Sequence, residues 1–328
     1  MAEGDATGSA APRATRLADG VWLLDTRFAG SPATIGVYLV PHAGAADRFD
    51  LVEAGPAVSH DAIRLAIAAA GFAPEALHTV LVTHVHLDHA GGAGTLARRY
   101  GARVVSHRIG ARHLADPSRL LASARRVYGD ALDTLWGVME SVPDDLLVAV
   151  EDGDELEIGG RTVRTIHTPG HASHHAAFLW PDGACYVGDA AGVRLPGSVV
   201  VRPALPPPET DLEAWDESLA RLIDARPDRL RLTHYGEVSE PLPHLAHVGR
   251  KNRAWAEAVL AWVADGMDEA GIVLELDRLA RAELVAAGAD AATIRRHLAT
   301  SDAAMTAAGL LRYWRTKRPE RWRAATGG

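Results

Sequence analysis

The sequence predicts an α/β fold followed by a C-terminal helical extension. Over residues 17–243, short apolar runs of strand length alternate with turn residues and helical stretches. From residue 244 onward, apolar residues recur at helical spacing and strand signals are few. A dense group of histidine and aspartate residues directly follows one apolar strand, which is where α/β folds place their functional sites.

Composition limits the classes of function. The chain has 328 residues, of which 48% are hydrophobic and 23% charged, as in ordinary globular proteins. A net charge of −8 gives no basic footprint for nucleic acid, so we expect a small-molecule substrate. Cys185 is the only cysteine, so an internal disulfide is excluded and we expect a small buried core residue there.

The first 16 residues are rich in Ala, Gly, Ser and Thr, and we predict a disordered tail at residues 1–16. They lack the continuous apolar core of a signal peptide, and no later apolar run is long enough to span a bilayer. We therefore expect a cytoplasmic protein without a membrane partner.

In the first half of the domain, apolar runs bounded by turn residues predict strands, with one helix among them. The strands are predicted at residues 21–24, 35–40, 50–53 and 80–82, and the helix at residues 61–70. The run 80–82 is apolar throughout, which is typical of a strand buried on both faces.

The second half begins with helices and returns to short strands. Helices are predicted at residues 94–100 and over most of 112–147, and strands at 155–158, 161–166, 176–180, 185–187 and 230–233. Thr210 and Glu213 match a capping box that opens a helix through Leu222.

The C-terminal extension carries apolar residues on helix faces. One face has Trp255, Val259 and Trp262, and another has Leu276, Leu279, Ala280 and Leu284. We interpret the tryptophans as packing between helices rather than as ligand contacts. The extension could either cap a cleft or form a homodimer contact, and both alternatives stay open.

The strongest chemical signal is a group of four ligand-type side chains within six residues: His84, His86, Asp88 and His89. Residues two apart on an extended backbone point the same way, so His84 and His86 can face one ion. Asp88 and His89 follow as the chain turns, and they can face a second ion. A polar loop with chance histidines is the alternative, but unpaired imidazoles at a buried strand end would cost stability.

These residues give the chain a resemblance to the metallo-β-lactamase superfamily, whose His-x-His-x-Asp-His pattern is His84-Val85-His86-Leu87-Asp88-His89 here. Three later segments are similar to further family elements, in order: Thr168-Pro169-Gly170-His171, Gly188-Asp189 and Thr233-His234-Tyr235-Gly236. The resemblance covers about residues 17–240. The segment 83–92 resembles the glyoxalase II-like branch, which also carries a C-terminal helical extension.

The resemblance implies a four-layer αββα sandwich with two metal ions at one edge. Its implied ligands are His84, His86 and His171 for the first ion, Asp88, His89 and His234 for the second, and Asp189 as the bridge. Imidazole and carboxylate ligands suit Zn²⁺, and also Fe or Mn. The predicted division is a metallo-β-lactamase-fold catalytic domain at 17–243 and a helical subdomain at 244–328.

The implied activity is that of a dinuclear metal-dependent hydrolase, cleaving a thioester, lactone or carboxylic ester with a metal-bridging hydroxide. Asp88 is expected to orient the hydroxide or shuttle its proton. Tyr235 either donates a hydrogen bond to a substrate oxygen or simply packs. Glu53 stands where many family members have Asp, and we expect it to bond a metal-binding histidine; a plain strand-end carboxylate is the alternative.

Residues around the third histidine invite a larger metal cluster, but we expect His167, Ser173, His174 and His175 to line the pocket in part and otherwise to pack or face solvent. The loop 199–208 is expected to border the pocket, because it follows the Asp189 strand.

Two alternative functions stay open. One is a mononuclear iron oxidoreductase similar to the persulfide dioxygenases, which use fewer of these ligands. The other is a non-catalytic, metal-stabilised binding module. A secreted β-lactamase would need an export signal, and a flavin-dependent member would need a further domain, so the sequence disfavours both.

Overall fold

The computed structural model describes residues 14–327, and within them thirteen strands form two sheets. The first sheet contains, in spatial order, β1 (Ala14–Arg16), β2 (Trp22–Asp25), β3 (Gly36–His42), β4 (Ala45–Val52), β5 (Leu77–Leu81), β6 (Arg103–His107) and β7 (Leu147–Val150). The second contains β13 (Gly236–Val238), β12 (Arg229–Leu232), β11 (Ala184–Tyr186), β10 (Ala176–Leu179), β9 (Arg161–His167) and β8 (Glu155–Ile158).

Both sheets mix parallel and antiparallel pairs. In the first sheet β4, β5, β6 and β7 pair in parallel, and the other neighbours are antiparallel. In the second sheet β11 and β12 are parallel. Parallel neighbours require crossover connections, and these are made by helices.

The helices of the described residues lie between and after the strands. They are α1 (His60–Ala69), α2 (Leu87–Ala90), α3 (Ala93–Tyr100), α4 (Arg108–Ala115), α5 (Ser118–Tyr128), α6 (Leu132–Trp136), α7 (Leu212–Asp224), α8 (Pro241–Ala264), α9 (Glu269–Ala286), α10 (Ala291–Thr300), α11 (Ala303–Thr316) and α12 (Pro319–Thr326). No helix in residues 14–327 is both long and apolar enough to cross a membrane.

Alternating side chains divide the core into three layers. Leu23 and Tyr38 of the first sheet pack with Phe178 of the second, in a cluster between the sheets. Their neighbour Leu24 points the other way, into a cluster with Ile63 of α1. Successive strand residues face opposite sides of a sheet. One face of each sheet therefore packs against the other sheet, and the opposite face packs against helices. The predicted four-layer αββα sandwich is confirmed.

The outer core of the second sheet is shared with the C-terminal helices. Cys185 of β11, Trp255 of α8, Leu276 of α9 and Leu310 of α11 all belong to one buried cluster. The predicted packing role of the tryptophans is confirmed for Trp255, and Cys185 is buried as expected. The helical extension and the second sheet therefore stabilise each other, while the division at residue 243 stays a prediction.

Some expectations about individual elements were wrong. Most of the predicted tail lies outside the described residues, but Ala14–Arg16 form β1, paired antiparallel with β2. By contrast, the stretch 112–147 is mostly helical as predicted, through α4, α5 and α6 to Trp136, and β7 begins at its last residue, Leu147. The strand β6 was not predicted, because its apolar run is only Val104 and Val105.

The predicted capping box is also displaced by one residue. Asp211, not Thr210, caps α7: its carboxylate accepts from the backbone N–H of Ala214 at 3.2 Å. The Thr210 hydroxyl instead donates to the carbonyl of Pro206 at 2.8 Å. An ionised cap at a helix N-terminus is stabilised further by the helix dipole.

The core shared by the second sheet and the C-terminal helices predicts the effect of truncating the Trp314 side chain in α11. This residue is buried, and its indole N–H donates to the carbonyl of Ala256 in α8 at 2.9 Å. Trp314→Ala should lower the free energy of unfolding by about 3–5 kcal/mol, as for other buried tryptophans. Urea denaturation measures the change, with the exposed Leu274→Ala as the control. Equal, small effects of both substitutions would contradict a shared core.

Candidate metal centre

The candidate ligands follow strand ends that meet at one edge of the sandwich. His84 and His86 follow β5 and precede α2, and His171 lies in the turn after β9. Asp189 follows β11, and His234 follows its parallel neighbour β12. Each ligand therefore depends on a strand for its position, which is the usual placement of a site in such folds.

Three imidazole nitrogens form a triangle. Nε2 of His84 lies 3.0 Å from Nδ1 of His86 and 3.2 Å from Nε2 of His171. Nδ1 of His86 and Nε2 of His171 are 2.9 Å apart. A tetrahedral ion bound at about 2.0–2.1 Å separates its nitrogen ligands by roughly 3.3 Å. The triangle is close to that size, so these residues fit one divalent metal ion.

A second group lies beside the first. Oδ2 of Asp88 is 3.2 Å from Nε2 of His234 and 3.4 Å from Nε2 of His89. These three side chains converge within the span of one coordination sphere. They are the residues predicted for the second ion.

Asp189 connects the two groups through its two oxygens. Oδ2 is 3.3 Å from Nε2 of His171, and Oδ1 is 3.4 Å from Nε2 of His89 and 3.5 Å from that of His234. Among the described residues, neither Oδ1 of Asp189 nor Nε2 of His89 has a hydrogen-bond partner, although both are buried. Buried polar atoms without hydrogen-bond partners lower the stability of a fold. A bound metal ion would satisfy both atoms, so their chemistry fits the role of metal ligands.

Hydrogen bonds at the opposite ring nitrogens fix the imidazoles. Nδ1–H of His171 donates to the carbonyl of Ala204, and Nδ1–H of His234 donates to that of Thr34, each at 2.7 Å. Such bonds select the tautomer whose other nitrogen is free to bind a metal. Ala204 belongs to the loop 199–208, so its expected place beside the site is confirmed.

Glu53 makes the contact that we expected with a candidate ligand. Its Oε1 accepts from Nδ1–H of His89 at 3.0 Å, from the Thr83 hydroxyl at 2.6 Å and from the Thr233 hydroxyl at 2.9 Å. Glu53 is buried and has a positive φ of 73°, a conformation that non-glycine residues rarely adopt. Strained backbone of this kind clusters at functional sites. Neither Thr83 nor Thr233 was predicted to take part.

The two histidine groups differ in their protonation. Burial lowers the pKa of His84 well below its usual range, that of His86 to about 4, and that of His171 as well. Burial also opposes charge on His89 and His234, but Asp88 and Asp189 outweigh it and raise both pKa values. The first group is therefore ready to bind metal, whereas protons compete for the second.

The two carboxylates are held ionised. Burial opposes their charge, but the neighbouring His89 and His234 keep the pKa of Asp88 and of Asp189 well below the usual range. Of the two side chains, that of Asp88 is the more exposed, at 21% against 7% for Asp189. Asp88 is thus the ionised carboxylate that solvent can reach.

The flanking polar residues support the ligands from behind. Nε2 of His175 accepts from the backbone N–H of Asp189 at 3.2 Å, and Nδ1 of His174 accepts from that of Val85 at 3.4 Å. Both rings are buried, so they pack. Nε2–H of His167 donates to the carbonyl of Ser173 at 2.9 Å. The sequence signal for His175 was only its closeness to His171.

Tyr235 follows His234 in the chain, and its ring packs against the core between the two sheets. It contacts the inter-sheet cluster that contains Leu23 and Tyr38, and it lies against Gly36. These contacts fit the packed alternative that the sequence left open. The hydrogen bond from Tyr235 to a substrate stays a prediction.

The comparisons with known proteins agree with this geometry. A family model described as the metallo-beta-lactamase superfamily matches residues 37–234. A metallo-beta-lactamase fold-containing protein of Sulfurisphaera tokodaii is 33% identical over 166 residues, covering 50% of this chain and 62% of that protein. A hydroxyacylglutathione hydrolase of Acidiphilium cryptum is 34% identical over 152 residues, covering 46% of this chain and 47% of the relative. The match thus spans under two thirds of each relative.

Among solved structures, a metallo-beta-lactamase family protein of Thermus thermophilus has a TM-score of 0.64 and 24% sequence identity. The superposition covers 92% of this chain and 94% of that protein, so the C-terminal region is included in the fold that they share.

The pKa shifts predict that acid removes metal in two steps. The raised pKa values of His89 and His234 mean that protons displace metal there as the pH falls from neutral. His84 and His86 stay neutral to lower pH, because their pKa values are lowered. Metal content per chain, measured after equilibration at decreasing pH, should show that the two ions of this centre are lost in two separate steps. Simultaneous loss of both ions would contradict the assignment.

Glu53→Gln should weaken metal binding without unfolding the protein. The amide cannot accept all the bonds that the carboxylate makes, so the His89 ring is less firmly held. Loss of such a supporting partner typically costs about 10- to 100-fold in metal affinity. Competition with a chromogenic chelator measures the change, with the exposed Glu157→Gln as the matched control. An unchanged affinity would assign Glu53 a purely structural role.

Proposed function

The chain belongs to the metallo-beta-lactamase superfamily, and from this we propose that it is a hydrolase that holds two divalent metal ions and cleaves an ester-like bond in a small molecule. Thioesters, lactones and carboxylic esters are the substrate classes proposed. The observation that carries the proposal is the placement of Asp189, whose two oxygens face two separate groups of ligand-type side chains.

Zn²⁺ is the proposed metal, because histidine nitrogen and carboxylate oxygen are its usual ligands in proteins. His84, His86 and His171 would hold one ion, and Asp88, His89 and His234 the other. Fe and Mn accept similar donors, so metal analysis has to decide among the three. Divalent ions at such a site supply an acidified water and a positive charge for the developing oxyanion.

The residues of the chain then divide the remaining tasks. Asp88 is ionised and partly exposed, so it can accept a hydrogen bond from a water molecule that enters the site and orient that water. Asp189 lies between the two histidine groups and contacts both of them. Its own position is fixed by the hydrogen bond from its backbone N–H to Nε2 of His175. Glu53 holds His89 from the opposite side of the ring.

The name of a relative supports the proposed type of bond, and the positions of the two lysines bear on the carrier group. The Acidiphilium cryptum relative is named for the hydrolysis of an acylated glutathione, which is an ester-like bond. Glutathione itself is not proposed as the carrier, because the two lysines of the chain are engaged elsewhere. Lys251 pairs with Glu283 at 2.7 Å, and Lys317 pairs with Asp211 at 2.6 Å.

A panel of esters, thioesters and lactones tests the proposal on metal-loaded protein. A chelator should abolish turnover, and restored Zn²⁺ should return it. Asp189→Ala should lose about three orders of magnitude in kcat/KM together with bound metal, since several kcal/mol of transition-state stabilisation depend on the ions.

The matched control is His60→Ala, which changes a histidine on α1 whose Nε2 contacts Arg99. It should leave turnover and metal content unchanged. Turnover that survives thorough removal of metal would reject the proposed mechanism. A single bound iron together with oxygen uptake would instead favour the oxidoreductase alternative.

A further inference from the structure

A second group of metal-ligand side chains lies at the other end of the first sheet. His42 ends β3, Asp50 lies in β4, and His78 lies at the start of β5. His78 precedes His84 by six residues, which corresponds to roughly 20 Å of extended strand. The group is therefore separate from the candidate centre described above.

The three side chains converge on the carboxylate of Asp50. Nε2 of His42 is 2.8 Å from Oδ2, and Nδ1 of His78 is 3.6 Å from Oδ1. The ligand atoms of all three lie within 4.8 Å of one another, and the histidine rings meet edge to face. These separations fit the coordination sphere of a single ion.

Asp50 is buried without adequate partners. Its side chain has no exposed area, and neither of its oxygens has a hydrogen-bond partner among the described residues. Nε2 of His42 is likewise without one, because its close approach to Oδ2 does not have hydrogen-bond geometry. A buried carboxylate in this condition is costly, and a bound cation would remove that cost.

Backbone from the second sheet closes the group on one side. Gly159, in the turn between β8 and β9, has a positive φ of 55°. A Cβ atom there would lie 2.8 Å from Oδ2 of Asp50 and 3.0 Å from Cδ2 of His42. The carbonyl of Gly159 also accepts from the N–H of Ala43 at 2.8 Å. A side chain at position 159 would collide with the carboxylate of Asp50, so glycine lets this turn pack directly against the group.

The surrounding charges act in both directions. Burial lowers the pKa of His78, and Arg103 and Arg48 add to that effect, whereas Asp50 opposes it. The arginines repel a cation but also favour a neutral imidazole, which is the form that binds metal. The Thr79 hydroxyl lies 2.9 Å from Nδ1 of His78, so it must rotate away when that nitrogen binds an ion.

We propose that His42, Asp50 and His78 form a further metal site, for a divalent cation of the zinc type. Two imidazoles and one carboxylate are a common zinc ligand set, and they leave a coordination position for water. His78 is 38% exposed on its side chain, so solvent and the ion reach the site from that side. The ion would join the end of β3, the interior of β4 and the start of β5, next to the turn that carries Gly159.

Metal counting on the full-length protein tests the site. The protein is loaded with Zn²⁺, exchanged into buffer with micromolar free Zn²⁺, and analysed for zinc per chain. His78→Ala should contain one ion fewer than the wild type, because it removes a ligand that is partly exposed and tolerates truncation. His247→Ala, a half-buried histidine on α8 outside the group, should match the wild type.

A second variant separates this site from the proposed catalytic centre. Asp189→Ala should lose metal at the centre while keeping the ion that His78→Ala loses, and the Asp189→Ala/His78→Ala double variant should lose both. Failure of the proposed hydrolase function would leave this difference intact. Equal zinc content in wild type and His78→Ala, with circular dichroism showing both folded, would overturn the proposal. It would instead identify the group as a buried ion pair between protonated histidine and Asp50.

Discussion

The buried carboxylate of Asp189 is the constraint on which the candidate centre depends. The Asp189 side chain is only 7% exposed, and its two oxygens face imidazoles that come from three different parts of the chain. A buried charge without compensation costs several kcal/mol, so the fold must bring positive charge to both oxygens. The two cations that we propose, held by the neighbouring histidines, would meet this requirement. Each sheet has to end at the right place for the histidines to hold them.

Hydrogen bonds of a buried glutamate hold the two sheets and a candidate ligand together. Glu53 follows a strand of the first sheet, whereas Thr233 follows a strand of the second, and the two side chains are hydrogen-bonded. The same carboxylate holds His89 and Thr83, so one buried acid ties both sheets to one candidate ligand. The positive φ of Glu53 is the local strain that this arrangement tolerates.

Much of this could be predicted from sequence, because its signals are local. The strand before His84 contains a continuous apolar run, and four ligand-type residues follow within six positions. The contacts of Thr83, Thr233 and His175 could not be predicted, since they join residues far apart in the chain. Tyr235 was proposed from its position alone, and its ring packs into the core. The strand β6 was missed because it has only two apolar residues of its own, and neighbouring strands complete it.

The most direct test of the central claim is the anomalous diffraction of zinc-loaded crystals at the zinc edge. We expect two peaks on either side of Asp189, one among His84, His86 and His171 and the other among Asp88, His89 and His234. Each peak should lie at about 2.0–2.2 Å from its ligand atoms. A single peak that leaves one oxygen of Asp189 without a metal, or no peak at this edge of the sandwich, would contradict a dinuclear centre.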